Sequence, residues 1–134
     1  MTVDLNQFVG ISFVPGGCSL SGCNCGGLVL LVFAAFGQRV TVPGYTGDHA
    51  DSAAVNRIME QERGNWEPLA EPEVPCLVAI AVDLKNPDWV NHVGVYIGNG
   101  RFLHSWRRTR SCVEKIDSLL WRNRIKGFYR WKNA

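Results

Sequence analysis

Residues 25–36 form an uninterrupted apolar segment, CGGLVLLVFAAF, which is followed by Gly37. As a helix or a strand, the segment would present apolar side chains in nearly every direction. Any element that it forms must therefore be buried on all sides. Its length and its two consecutive alanines favour a helix, and Gly37 would end that helix because glycine readily takes the left-handed conformation found there. A buried strand is the alternative, since Val and Leu suit both structures. In either case the rest of the chain has to cover this segment.

The chain has 134 residues, enough to bury a single core, so we assign residues 1–134 to one domain. Its longest apolar run, Leu28 to Phe36, is about half of the ~18 residues that a membrane-spanning helix needs. The N-terminus lacks a basic stretch followed by an apolar stretch and a small-residue cleavage site. We therefore expect a chain made without a signal peptide and without a membrane span.

Helical patterns precede strand patterns along the chain, which predicts an α+β fold. An amphipathic helix is expected near residues 49–63, whereas residues 10–24 and the proline-rich segment around Pro68 are expected to be loops. Gly98-Asn99-Gly100 predicts a tight hairpin between two strands. The segments with strand composition are residues 76–82, 92–98, 101–106, 112–116 and 126–131.

Cys25 stands at the start of the predicted buried helix, and Asn24 before it is a candidate N-cap. The unpaired N–H groups and the positive end of the helix dipole favour a thiolate there, which predicts a lowered pKa and a nucleophilic sulphur. Gly26 and Gly27 each disfavour a helix by roughly 1 kcal/mol relative to alanine. Their presence indicates that a substrate or a neighbouring strand approaches the first helical turn closely. The alternative is that Cys25 is simply a small buried apolar residue.

His92 opens one predicted strand of the hairpin, and His104 lies near the end of the other. With a turn at residues 98–100, residues whose numbers sum to about 198 face each other on the two strands. The numbers of the two histidines sum to 196, so we expect them to be cross-strand neighbours within ~5–8 Å of each other. This arrangement suits a general base, His92, that a second polar group, His104, orients. The alternative is that both are ordinary polar residues of a sheet.

Five cysteines are present, and three of them lie within eight residues. Without a signal peptide we expect no disulfide framework. A zinc site of Cys18, Cys23, Cys25 and a histidine is an alternative use of the same residues, but the spacing lacks the C-x2-C pair typical of zinc knuckles. We therefore expect no metal and no other cofactor, and the sequence assigns no role to Cys18, Cys23, Cys76 or Cys112.

The charges are unevenly distributed, although the net charge is only +2. Residues 1–100 carry 4 basic and 10 acidic side chains, whereas residues 101–134 carry 10 basic and 2 acidic ones. This asymmetry predicts an anionic partner, and we expect Arg107 and Arg108 to contact an anionic substrate. The alternative is that the arginine stems cover apolar surface.

The segment GCNCGGLVLLVFAAFG is similar to the nucleophile motif of the NlpC/P60 cysteine peptidases, and HVGVYIGNGRFLHS closely resembles the family's histidine block. The segments GISFVPGG and RIKGFYR resemble the short phage-tail-associated members in particular. The resemblance covers nearly the whole chain, and the histidine block is its most specific part. It implies a papain-like α+β fold, with N-terminal helices packed on an antiparallel sheet of about five strands. It also implies that Cys25 is the nucleophile, His92 the general base and His104 the orienting residue.

Three further positions correspond to residues near the substrate in this family. Asn24 and Gly26 flank the nucleophile where the family usually has Asp and Ser, and Phe13 stands where many members have Tyr. The resemblance implies hydrolysis of amide bonds in peptidoglycan stem peptides without a metal or cofactor. It also implies synthesis in the bacterial cytoplasm and association with other phage tail proteins.

Two other functions compete with this interpretation. A tail-assembly protein could keep the fold without catalysis, but the intact Cys/His/His set favours the enzyme. A nucleic-acid-binding module could use the basic C-terminal third, where arginines alternate with aromatic residues. Beyond this charge, the sequence contains no nucleic-acid-binding motif, so binding to nucleic acid is the least favoured function.

Overall fold

The computed structural model describes residues 2–42, 52–106 and 109–132. Within these ranges it contains the α-helices α1 (Cys25–Ala35) and α2 (Ser52–Glu62) and the 3₁₀ helices Leu5–Phe8 and Arg63–Asn65. The strands are β1 (Cys18–Ser19), β2 (Gly22–Cys23), β3 (Trp66–Leu69), β4 (Cys76–Ile80), β5 (His92–Gly98), β6 (Arg101–His104), β7 (Cys112–Lys115) and β8 (Ile125–Trp131). None of the described helices is both long and apolar enough to cross a membrane.

The larger sheet confirms the predicted α+β class but has six strands rather than about five. Its order is β3–β8–β4–β5–β6–β7, with every neighbouring pair antiparallel. All five predicted strand segments belong to it. The sixth strand, β3, occupies a segment that the sequence predicts to be a loop because of Pro68, and this prediction is wrong. Since β3 lies at the edge of the sheet, a residue without an N–H group can be accommodated there.

Two other segments also differ from the sequence-based prediction. The predicted loop at residues 10–24 contains β1 and β2, which pair antiparallel as a separate two-stranded sheet. The helix expected near residues 49–63 is present as α2, but the residues at which its start is predicted lie outside the described part of the chain.

The helix α1 confirms the prediction of a buried helix. The Asn24 side-chain oxygen accepts a hydrogen bond from the Gly27 N–H at 2.7 Å, which caps the first turn. Gly37 follows the helix with a φ of 80°, the left-handed conformation expected for a residue that ends a helix. The buried residues of α1 are Cys25, Gly26, Gly27, Leu28, Val29, Val32 and Phe33.

The large sheet has one face that packs against α1 and a second face that packs against Trp121. The sheet residues clustered with α1 are Leu77, Val93, Val95 and Leu103. Those clustered with Trp121 alternate with the first set and include Val78, Ile80 and Phe102. His92 lies opposite Ile80, and His104 is two residues from Phe102. Both histidines therefore lie on the Trp121 face.

Gly27 is needed because the preceding loop touches the first turn of α1. A Cβ atom at Gly27 would overlap the carbonyl oxygen of Gly17. That oxygen also accepts a hydrogen bond from the Asn24 N–H at 3.1 Å. The close approach that the sequence predicts is therefore confirmed for Gly27, and the approaching group is the chain's own backbone.

We expect Gly27→Ala to lower the free energy of unfolding by about 1–3 kcal/mol, because the added methyl group must displace backbone. Gly64→Ala is the matched control, since a Cβ there meets no described atom within 4 Å, and this change should be neutral or slightly stabilising. Chemical denaturation measures both. Equal, small effects would contradict the close contact.

Candidate active site

The Cys25 sulphur lies at the start of α1, beside the strand that His92 opens. The Cys25 side chain is only 3% exposed. The backbone N–H groups of Val93, Gly26 and Cys25 lie near the sulphur and favour its ionised form. Since Val93 directly follows His92 in β5, the helix start and the histidine-bearing strand meet at the sulphur.

Burial raises the pKa of the Cys25 thiol to about 11, although the three backbone N–H groups act in the opposite direction. The sequence-based prediction of a lowered pKa is therefore wrong for this conformation. The helix start does supply hydrogen bonds that favour the thiolate, but the loss of water around the sulphur outweighs them. The thiol is protonated at neutral pH, so an attack by this sulphur needs a base.

The two histidines are confirmed as cross-strand neighbours and form a direct hydrogen bond. His92 Nε2 lies 2.8 Å from His104 Nδ1. The pairing of Val95 with Leu103 and of Tyr96 with Phe102 follows the predicted sum of 198. Both rings are almost fully buried, with exposures of 0% and 1%. One proton is therefore shared along a short, dry contact between the two imidazoles.

Gly94 makes room for this contact. Gly94 lies on β5, next to His104 on the neighbouring strand β6. A Cβ atom at Gly94 would come within 3.2 Å of His104 Cβ and 2.9 Å of the Leu103 carbonyl oxygen. Such distances are shorter than ordinary van der Waals contacts. A side chain at this position would therefore push β6 away from β5 and disturb the histidine pair.

Aromatic rings enclose the two imidazoles. The ring centroid of Trp106 lies 4.8 Å from that of His92, and Trp121 and Phe102 lie 4.9 Å and 5.0 Å from His104. These contacts hold both rings in place and exclude water from the hydrogen bond between them. The sequence does not predict this role for the tryptophans.

Glu114 and Cys112 face the outer nitrogen of His104. The Glu114 carboxylate oxygen Oε2 lies 3.5 Å from His104 Nε2, and the Cys112 sulphur lies 3.7 Å from the same nitrogen. Trp121 Nε1 donates a hydrogen bond to Glu114 Oε2 at 2.9 Å. Burial lowers the pKa of His104 below its ordinary value, although Glu114 acts in the opposite direction. His104 is therefore neutral near pH 7 and carries a single N–H.

The structure brings some of the predicted substrate positions close to Cys25. Phe13 is half-buried, and its backbone forms an isolated parallel β-bridge with Cys23, two residues before Cys25. Asn24 is buried and caps α1, and the Gly26 N–H reaches the sulphur. Their contacts with a substrate remain predictions.

Two arginines in the basic C-terminal third are predicted to contact an anionic substrate. Arg107 and Arg108 lie outside the described residues.

The alternative zinc site is not formed. Cys18 and Cys23 are partners across β1 and β2, and Cys18 is exposed. Among the described residues, the one group of three candidate metal ligands within 4.8 Å of one another is His104, Cys112 and Glu114. The Cys18, Cys23 and Cys25 sulphurs are not in it.

The model of the NlpC/P60 family matches residues 10–130, a range that includes Cys25 and both histidines. The chain belongs to the NlpC/P60 family. The family that the sequence resemblance predicts is thereby confirmed. The match does not distinguish the phage-tail-associated members from the others.

Two curated relatives come from Bacillus subtilis (strain 168). The chain is 29% identical to a γ-D-glutamyl-L-lysine dipeptidyl-peptidase over 104 residues, which are 78% of this chain and 30% of the relative. It is 23% identical to a γ-DL-glutamyl hydrolase over 131 residues, which are 97% of this chain and 28% of the relative. The chain thus spans less than a third of the length of either relative.

The NlpC/P60 domain of the peptidoglycan hydrolase SagA is a solved structure with the same fold. It superimposes with a TM-score of 0.60 at 16% identity, covering 93% of this chain and 91% of that one. At this level of identity the likeness establishes the fold, and it does so over nearly the whole of both chains.

We expect the rate at which iodoacetamide alkylates Cys25 to rise between about pH 7 and pH 10, by up to roughly tenfold per unit. The thiol is protonated below its pKa of about 11, so each increase in pH increases the reactive thiolate fraction. Timed alkylation with peptide mapping measures the rate, and Cys18→Ser removes the exposed competing thiol. A rate already maximal below pH 7 would instead indicate a preformed thiolate–imidazolium pair.

Proposed function

We propose that residues 1–134 form one cysteine endopeptidase domain that hydrolyses amide bonds in peptidoglycan stem peptides. The observation that carries the proposal is the 2.8 Å hydrogen bond between His92 and His104, on a strand that also reaches the Cys25 sulphur through Val93. A nucleophile, a base and a group that orients the base are the parts that acyl transfer needs. Membership of the NlpC/P60 family supports this assignment.

In the proposed reaction, His92 takes the proton from the Cys25 thiol as the sulphur attacks the amide carbon. The Cys25 N–H donates to the oxyanion that forms. The carbon–nitrogen bond then breaks, and His92 returns the proton to the leaving amine, which leaves a thioester. Water hydrolyses the thioester: His92 takes a proton from the water, and the departing Cys25 sulphur recovers it. The net reaction adds one water molecule across the amide.

His104 determines which nitrogen of His92 can serve as the base. His92 Nε2 is engaged with His104 Nδ1, so proton exchange with Cys25 falls to His92 Nδ1. This nitrogen accepts a proton only when the single N–H of neutral His92 is on Nε2. His104 Nδ1 must then be the acceptor of that N–H, and the proton of His104 must be on Nε2, toward Glu114.

We propose that the bond cleaved follows a γ-linked D-glutamyl residue. Both curated relatives are named for γ-glutamyl bonds. The chain spans less than a third of either protein, so their names guide the choice of substrate to test rather than define it.

We further propose that the domain acts as part of a phage or prophage tail, together with other tail proteins. The support is the resemblance of residues 10–17 and 124–130 to short tail-associated members of the family. Mass spectrometry of purified phage particles tests this directly, and absence of the chain from the particles would contradict it.

We expect Cys25→Ala and His92→Ala each to reduce release of muropeptides from purified peptidoglycan by about 10³-fold or more. His104→Gln should retain more activity than His104→Ala, because an amide oxygen can still accept the His92 N–H; the expected losses are roughly tenfold and a hundredfold. Mass spectrometry of the released fragments identifies the bond. Cys18→Ser, at an exposed thiol, is the matched control for Cys25. Mild and equal effects of all four site variants would contradict the catalytic assignment.

We expect binding to purified cell walls to weaken as the salt concentration rises, because charges beyond about 8 Å are screened at ~0.15 M salt. Arg107→Glu with Arg108→Glu should weaken wall binding more than it slows turnover of a small soluble stem peptide. Arg39→Glu with Arg57→Glu makes the same change in net charge at two exposed arginines outside the basic C-terminal third, and serves as the control. Salt-sensitive binding to single-stranded nucleic acid, with no binding to walls, would favour the nucleic-acid interpretation instead.

A further inference from the structure

His104, Cys112 and Glu114 bring three metal-ligating atoms together on one face of the sheet. His104 pairs with Cys112 across β6 and β7, and Glu114 is two residues further along β7, so all three side chains point to the same side. The two distances from His104 Nε2 are 3.7 Å to the Cys112 sulphur and 3.5 Å to Glu114 Oε2. All three atoms lie within 4.8 Å of one another.

These distances suit a tetrahedral zinc ion. With bonds of ~2.3 Å to sulphur and ~2.0–2.1 Å to nitrogen or oxygen, neighbouring ligand atoms lie about 3.3–3.6 Å apart. A thiolate and a carboxylate together would balance the charge of a divalent cation. Cys112 and Glu114 are only partly buried, so an ion can enter from solvent and keep a water molecule as its fourth ligand. Trp121 can remain on Glu114 Oε2, because a carboxylate oxygen has two lone pairs.

We propose that His104, Cys112 and Glu114 form a binding site for Zn²⁺, or a similar thiophilic divalent cation, and that its occupancy inhibits the enzyme. The inhibition rests on the proposed peptidase reaction, whereas the binding site does not. Neither Cys112 nor Glu114 contacts the reacting atoms in that reaction. The site would act on catalysis through the hydrogen bond between the two histidines.

The inhibition follows from the position of one proton. A metal ion bound to His104 Nε2 uses the lone pair of that nitrogen, so the single N–H of neutral His104 moves to Nδ1. Nδ1 then donates to His92 Nε2 across the 2.8 Å contact. The proton of neutral His92 must in turn be on Nδ1, which is the nitrogen that has to accept the proton of Cys25. Metal binding thus holds the base in the tautomer that cannot act.

Cobalt absorption tests the binding site independently of catalysis. Co²⁺ bound to a thiolate gives a charge-transfer band in the near ultraviolet, and Zn²⁺ should displace it. The full chain carrying Cys25→Ala is used, so that the Cys25 thiol cannot bind the ion. We expect one Co²⁺ per chain, loss of the band in Cys25→Ala with Cys112→Ser, and retention in Cys25→Ala with Cys18→Ser. A band that persists without Cys112, or that is absent in Cys25→Ala alone, would overturn the site.

Inhibition is then measured on chains that retain Cys25. Each variant is compared with its own metal-free rate of muropeptide release. We expect the Zn²⁺ concentration for half-inhibition to rise roughly tenfold or more in Cys112→Ser and in Glu114→Gln, and not in Cys18→Ser. Binding to the site without inhibition would overturn the regulatory role. A chain that binds cobalt as described but releases no muropeptides without metal would instead refute the proposed function and leave the binding site standing.

Discussion

Burial of the uniformly apolar helix α1 determines where every group of the candidate site lies. Each fully buried Leu, Val or Phe contributes roughly 1.5–3 kcal/mol to folding, and α1 has no polar side along which it could face water. The sheet covers it on one side, and the N-terminal segment packs against it through Phe8 and Ile11. Ser111 holds that segment, since its hydroxyl accepts the Ile11 N–H and donates to the Phe8 carbonyl oxygen. The helix α1, which begins at Cys25, therefore lies between the N-terminal segment and the sheet.

The same burial sets the chemical state of the sulphur. The backbone N–H groups of Cys25 and Gly26 at the helix start and of Val93 in β5 would stabilise a thiolate in an open site, but at 3% exposure the loss of hydration dominates. The proposed peptidase therefore begins from a protonated Cys25 thiol, whose proton a base has to accept. The backbone N–H groups near the sulphur stabilise the transition state more than the neutral thiol, because negative charge develops during the attack and the groups are already in place. Because the thiol does not ionise by itself at neutral pH, we expect it to pass its proton to His92 while the carbon–sulphur bond forms.

Local sequence rules were sufficient for the parts of the site that lie within one helix or one hairpin. The Gly98-Asn99-Gly100 turn fixes the pairing of β5 and β6, and so the contact of His92 with His104, while Asn24 and Gly37 mark the ends of α1. The failures involve information from elsewhere in the chain. The pKa of Cys25 depends on the tertiary packing that removes water, and Pro68 belongs to a strand because β3 lies at a sheet edge. Cys112 and Glu114 were missed because their position beside His104 depends on how β6 pairs with β7, which no turn motif in the sequence determines. The signal that does exist is their alternate spacing, which puts both side chains on one face of whichever strand they form.

The two ring nitrogens of His104 lie in different environments. One contacts His92 and the other faces the edge strand β7, so His104 connects the histidine pair to that strand. Nδ1 meets Nε2 of the His92 imidazole, with which it can either donate or accept, whereas Nε2 meets a carboxylate and a sulphur. A carboxylate only accepts hydrogen bonds, so metal-free Glu114 favours the proton on Nε2 and thereby the His92 tautomer that catalysis requires. A cation between Glu114 and Nε2 reverses that preference without moving either ring. The groups that β7 carries would in this way determine which nitrogen of His92 holds its proton, through the contact between His92 Nε2 and His104 Nδ1.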